Sequence, residues 1–73
     1  MTNKLEVKKN WFQLNNNWHL LVSVKDRVYH KTVIIYNTAD ASFESVLKTN
    51  KMLKENDLIE QIKKDTGMEV ILV

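Results

Sequence analysis

The stretch WHLLVSVKDRVYHKTVIIYN, residues 18–37, decides how this chain folds. Apolar and polar side chains alternate on both sides of Asp26-Arg27, the pattern of two antiparallel strands that each turn one face to a core. Asp26-Arg27 fits a two-residue hairpin loop, although Asp-Arg is a poorer turn than Asp-Gly. Pairing Lys25 with Val28 then sets Val24 opposite Tyr29, Leu20 opposite Val33 and Trp18 opposite Ile35. One face gathers Trp18, Leu20, Val22, Val24, Tyr29, Val33 and Ile35, with Lys31 its only polar member. A three-residue loop would place Leu20 opposite Thr32 and Val22 opposite His30. A one-residue slip exchanges faces, so the two-residue loop is the expected one.

Upstream, KLEVKKNWFQL (4–14) reads as one long strand, bulged near Lys9-Asn10, and WHLLVSVK (18–25) as the second. The triplet NNN at 15–17 is turn chemistry, because Asn tolerates positive φ and hydrogen-bonds its own backbone. Trp11 and Phe12 are neighbours, so they point to opposite faces of the sheet. A three-residue loop sends Phe12 into the core and leaves Trp11 beside Leu21. A two-residue loop at Asn15-Asn16 reverses these roles. Either way one aromatic stands on the far face with Leu21 and Ile34.

Downstream of the third strand, VYHKTVIIYN (28–37), the period changes. DASFESVLKTNKML (40–53) puts Phe43, Val46, Leu47 and Leu53 on one helical face, with Asn50 among them. Asp40 is the expected N-cap, and Lys48, Lys51 and Lys54 suit the end of a helix. Leu58, Ile59 and Ile62 do not continue the first stripe. Asn56-Asp57 lies at the change, and Asp57 with Glu60 resembles a capping box. The expectation is two short helices, 40–54 and 57–65, with Gly67 as a left-handed C-cap. MEVILV (68–73) closes the chain as a strand apolar on both faces, hence internal to the sheet or paired across a dimer.

The expected fold is a single α+β domain over residues 1–73, ordered β-β-β-α-α-β. It is a three-stranded antiparallel meander with two helices on one face. The final strand lies beside the first or the third, by a right-handed crossover.

Seventy-three residues leave room for one core. A domain this small hides roughly 60% of the surface its unfolded chain exposes. There is no cysteine for a disulfide or thiolate site. Dense packing or self-association must compensate, and a homodimer is expected. The polar N-terminus MTNKLEVKKN lacks a signal-peptide core, and TVIIY and VILV are too short to span a bilayer, so the expected location is cytoplasmic, with no membrane partner. Ten lysines against one arginine, and eight asparagines against one glycine, are what A/T-rich codons produce. A low-GC bacterium, or one of its phages or mobile elements, is the source this suggests. Net charge is only +2. Its excess falls in residues 1–31, which is a weaker signal than the clustered basic stripe of a dedicated nucleic-acid binder.

No nucleophile motif is present, and the single glycine excludes a phosphate-binding loop or a dinucleotide fingerprint. In the expected register His19 and His30 lie roughly 13 Å apart at strand rise, too far to share a metal ion or a proton. Glu44, Glu55 and Glu60 fall where i,i+4 pairs with lysine put them. No enzyme activity, cofactor, metal or small-molecule substrate is therefore expected. The far face is the expected partner site, carrying Trp11 or Phe12 with Leu21 and Ile34. His19, His30, Lys25 and Arg27 are placed with it. The expected function is a protein-binding inhibitor of a host protein, of the kind phages and mobile elements encode. The alternative is a small nucleic-acid-binding or regulatory protein using the basic N-terminal sheet region.

Overall fold

Asn15 and Asn16 both adopt positive φ, 52° and 67°, the combination a type I′ hairpin turn requires and asparagine tolerates. The computed structural model, which describes residues 4–35 and 42–73, thereby selects the two-residue loop. Strand β2 (Asn10–Leu14) pairs antiparallel with β3 (Asn17–Val24), Leu14 facing Asn17 and Trp11 facing Leu20. Trp11 turns toward the core and Phe12 away from it.

The second hairpin differs from expectation by two residues. β3 pairs with β4 (Arg27–Val33), Val24 facing Arg27, Val22 facing Tyr29 and Trp18 facing Val33. The loop is Lys25-Asp26, with Lys25 at φ 56° and no positive φ at Asp26. These are the signs of a type II′ turn, whose first central position normally belongs to glycine. Val24 and Tyr29 are thus diagonal neighbours on one face and do not sit opposite each other. A slip of two keeps every side chain on its face, so the apolar alternation could not distinguish the two registers. Leu20, Val22 and Val33 are fully buried, and Val24 and Tyr29 nearly so.

The expected long first strand is interrupted at Lys8-Lys9. Its first piece, β1 (Lys4–Val7), leaves the meander and pairs in parallel with β5 (Glu69–Leu72), Lys4 facing Glu69 and Val7 facing Leu72. Lys9 N–H donates to the Val73 carbonyl, and Val73 N–H to that of Val7. The closing strand therefore joins the first strand, as one of the two expected placements had it. It is not internal, however. Val70 packs inward, while Ile71 and Val73 point to the other, uncovered face and are exposed; β5 has a ladder on one side only among the described residues.

A single helix, α1 (Phe43–Thr66), replaces the two expected. Ser42 caps it, its hydroxyl accepting from the Ser45 N–H at 3.2 Å. Asp40, the expected cap, lies outside the described residues, as do Tyr36 and Asn37 of the expected third strand. Gly67 ends the helix at φ 71°, its N–H bonded to the Lys63 carbonyl at 2.8 Å, as a left-handed C-cap should. Asp57 and Glu60 cap nothing, since they lie mid-helix. The change of apolar phase marks two faces of one helix. Lys51, Glu55, Leu58, Ile62 and Asp65 form one continuous stripe at spacings of three and four, and this stripe meets the sheet. The apolar signal fades at its start because the positions there are Lys51 and Glu55. Phe43 and Leu53 belong to another face and are exposed.

At 1.5 Å per residue α1 is about 36 Å long, and it sets the long dimension of a body measuring 46 × 23 × 17 Å. Leu58 and Ile62 are fully buried against Leu20, Val22, Val24 and Tyr29, with Val7 and Val70 closing the core from the parallel pair. The fold is α+β: among the described residues, a three-stranded antiparallel sheet, one helix and an accessory two-stranded sheet. No helix among the described residues is long and apolar enough to cross a membrane.

Candidate functional site

The two faces of the β2-β3-β4 sheet have different chemistry. On the helix side, Trp11 donates its indole N–H to Glu55 Oε1 at 2.7 Å, and Lys9 pairs with the same oxygen at 3.2 Å. Glu55 is thus held by the sheet, not by Lys51 one turn away as i,i+4 spacing suggests. The Lys51 ammonium instead lies 3.8 Å from the Trp18 ring centroid and 5.1 Å from that of Trp11, within the range of a cation–π contact to both. Trp18 buries its own N–H without a hydrogen-bond partner among the described residues.

At the other end of the helix, Tyr29 donates its hydroxyl to Asp65 Oδ2 at 2.9 Å, and Arg27 Nη1 reaches the same oxygen at 3.2 Å. Hydrogen bonding and charge from Tyr29, then the charge of Asp65, push the exposed Arg27 guanidinium above its ordinary pKa. Arg27, expected with the far face, thus belongs to the helix side, and so does Trp11, whose face the two possible loop lengths had left open. The slipped register moved Arg27 into the ladder, and the two-residue turn is the alternative that turns Trp11 inward.

The far face is arranged in cross-strand rows. Phe12, His19 and Thr32 form one row, and Asn10, Leu21 and His30 the next. Leu14 and Asn17 continue it on one side, Ser23 and Val28 on the other. Every one of these positions is exposed or half-buried, whereas the opposite face holds five buried residues. None of them carries an acidic or a lysine or arginine side chain. Lys25 sits exposed in the turn, and Ile34 is exposed just past the end of β4. Phe12, Leu21, His19 and His30 therefore share this face, with the two histidines at the centre of the patch.

The expected separation of His19 and His30 is overturned. The two-residue slip makes them diagonal neighbours, and His19 Nδ1 lies 2.9 Å from His30 Nε2. Their ring planes differ by 9° and their centroids are 5.2 Å apart. Parallel rings piled face to face keep their atoms about 3.5 Å apart, so a 2.9 Å contact sets these rings nearly in one plane, nitrogen to nitrogen. One ring donates N–H and the other accepts, which couples their tautomers. Thr32 Oγ1 lies 3.4 Å from both nitrogens. Phe12 lies against the other side of His19, its centroid 5.2 Å away at 16°. A hollow of about 610 Å³ adjoins Leu21, bordered by Asn10, Ser23 and Val28 and, at its edge, by Lys8 and Lys9. No group of three or more His, Asp or Glu gathers among the described residues.

Thr32 was the member of this cluster that sequence reasoning missed. Its signal was the i,i+2 spacing from His30, which puts both on one face whatever the register. Comparison of the chain with protein-family models, with curated proteins and with solved structures found no match.

Proposed function

We propose that this chain is a small non-enzymatic protein-binding module, acting by occupying a surface of a host protein with the sheet face opposite the helix. Composition adds the accessory kind of protein that phages and mobile elements encode. The carrying observation is the far face itself. Three strands present Phe12, Leu21, Val28 and two histidines, without a single acidic, lysine or arginine side chain and with no buried position. Uncharged surface of this make-up, with polar groups set among apolar ones, is what interface cores use.

A nucleic-acid reading draws less support from the geometry. Lys9 and Arg27, two of the cations expected beside the aromatic, are engaged on the helix side by Glu55 and Asp65. Phe12 has one ring face against His19, which halves the surface it could offer to a base. A second copy of the chain is the other protein that could cover the face.

The test is capture of host protein by immobilised chain, in 0.05 and 0.5 M salt, with nuclease-treated and untreated arms. Capture that survives salt and nuclease and disappears with Leu21→Lys supports the reading. Capture that collapses in salt or after nuclease points to nucleic acid. A folded Leu21→Lys variant that captures the same protein as before refutes the assignment of this face.

A further inference from the structure

His19 Nδ1, His30 Nε2 and Thr32 Oγ1 form a triangle with sides of 2.9, 3.4 and 3.4 Å. A tetrahedral shell with metal–nitrogen bonds of about 2.05 Å has edges of about 3.3 Å. Three donor atoms of the protein are thus already spaced close to one face of a coordination polyhedron. We propose that His19, His30 and Thr32 bind one divalent transition-metal ion of the nitrogen-preferring class, such as zinc, nickel or copper.

The backbone supplies the placement. His19 and Thr32 are directly opposed across the β3-β4 ladder, and His30 is two residues from Thr32 on the same face. Phe12 lies against the His19 ring and limits its swing. His30 is exposed, so its ring has room to turn toward a shared ion; the His19 ring must turn with it, because rings set nitrogen to nitrogen aim their lone pairs at each other. The proton now held between the two rings must move to an outer nitrogen of the ring that carries it. This is a change of tautomer. The outer nitrogens, His19 Nε2 and His30 Nδ1, have no protein partner among the described residues.

Donor chemistry selects the ion. Two imidazoles and a hydroxyl, with no carboxylate on the face, suit zinc, nickel and copper and offer little to magnesium or calcium, which take oxygen donors. The fourth position points to solvent, where water or a partner side chain can complete the shell. The site stands on these three residues alone, whether or not the face docks on a protein.

Calorimetric titration of the tag-free chain with Cu²⁺, Ni²⁺, Zn²⁺ and Mg²⁺ tests the site, with far-UV circular dichroism confirming the fold of each variant. Expected is saturable binding of one ion per chain, tightest for Cu²⁺ and undetectable for Mg²⁺. Loss of an outer-shell partner alone costs roughly 10–100-fold in metal affinity. His19→Gln and His30→Gln, which remove direct ligands, should therefore each weaken binding at least tenfold, and Thr32→Val less. In long-range ¹H–¹⁵N spectra the added diamagnetic Zn²⁺ should shift His19 Nδ1 and His30 Nε2 together. No binding by the native chain overturns the proposal. So does binding that survives either glutamine substitution within twofold, because the ion then sits on a single histidine or elsewhere.

Discussion

Lys51→Met isolates the contact that ties the middle of α1 to the two tryptophans. Methionine keeps the length of the side chain and a similar helix propensity, so what is lost is the charge. That charge lies 3.8 Å from the Trp18 centroid and 5.1 Å from that of Trp11. A cation over an aromatic ring contributes about 0.5–1 kcal/mol when exposed and about 2 kcal/mol when desolvated. Lys51 is half-buried and its one charge is shared by two rings, so a loss of about 1–2 kcal/mol is expected for the pair of contacts. In a domain of this size each kcal/mol moves Tm by about 4–8 °C, giving a fall of about 4–16 °C. Urea unfolding followed by tryptophan fluorescence reads the site directly, since Trp11 and Trp18 are the only tryptophans. The control is Lys48→Met on an exposed position of the same helix, which should cost less than about 0.5 kcal/mol. A double-mutant cycle with Trp18→Phe should return a coupling of at least about 0.5 kcal/mol, the lower end for a cation–π pair. Equal costs for Lys51→Met and Lys48→Met, or a coupling of zero, would refute the reasoning.

Leu20→Lys should unfold the chain, because it buries an unpaired charge at a fully covered position. Leu21→Lys should shift thermal melting little, since a half-buried surface position usually costs below about 0.5 kcal/mol; equal losses at the two positions would mean that both sheet faces are covered. Lys25→Gly should raise stability by about 1 kcal/mol, the cost of a non-glycine residue in the left-handed region, and an unchanged urea midpoint would count against the observed turn. Asp57→Pro falls mid-helix and should cost about 3 kcal/mol or more. Circular dichroism showing native helicity in that variant would restore the expected break at Asn56-Asp57.

The sequence made the core legible but not which side chains touch. Leu20, Val22, Val24, Tyr29 and Val33 could be assigned to one face because strand alternation is indifferent to a slip of two. Contact between His19 and His30 has no such protection: the same slip carries them from well apart to 2.9 Å. The register is fixed at the turn, where Lys25 occupies a position that composition rules reserve for glycine, so the rule pointed elsewhere. The helix was misread for a related reason. Lys51 and Glu55 face the sheet because two indoles, not aliphatic side chains, await them there, and a hydrophobicity count cannot register a lysine that packs on a ring. At the first hairpin the asparagine triplet left two loop lengths open, and only the positive φ of both Asn15 and Asn16 separates them. Gly67 was readable because a lone glycine after two lysines has one common use.

The parallel ladder between β1 and β5 joins residues near the opposite ends of the folding unit, Lys4 with Glu69 and Val7 with Leu72. The two hairpins can form locally within microseconds, but Val7 and Val70 cannot meet until nearly the whole chain is available. Leu20 and Val22 are covered once α1 brings Leu58 and Ile62 onto the sheet, and the core is complete only when Val70 reaches Val7. That last pairing is parallel and spans almost the whole folding unit, so it is the slow contact, which fast local hairpins cannot hasten.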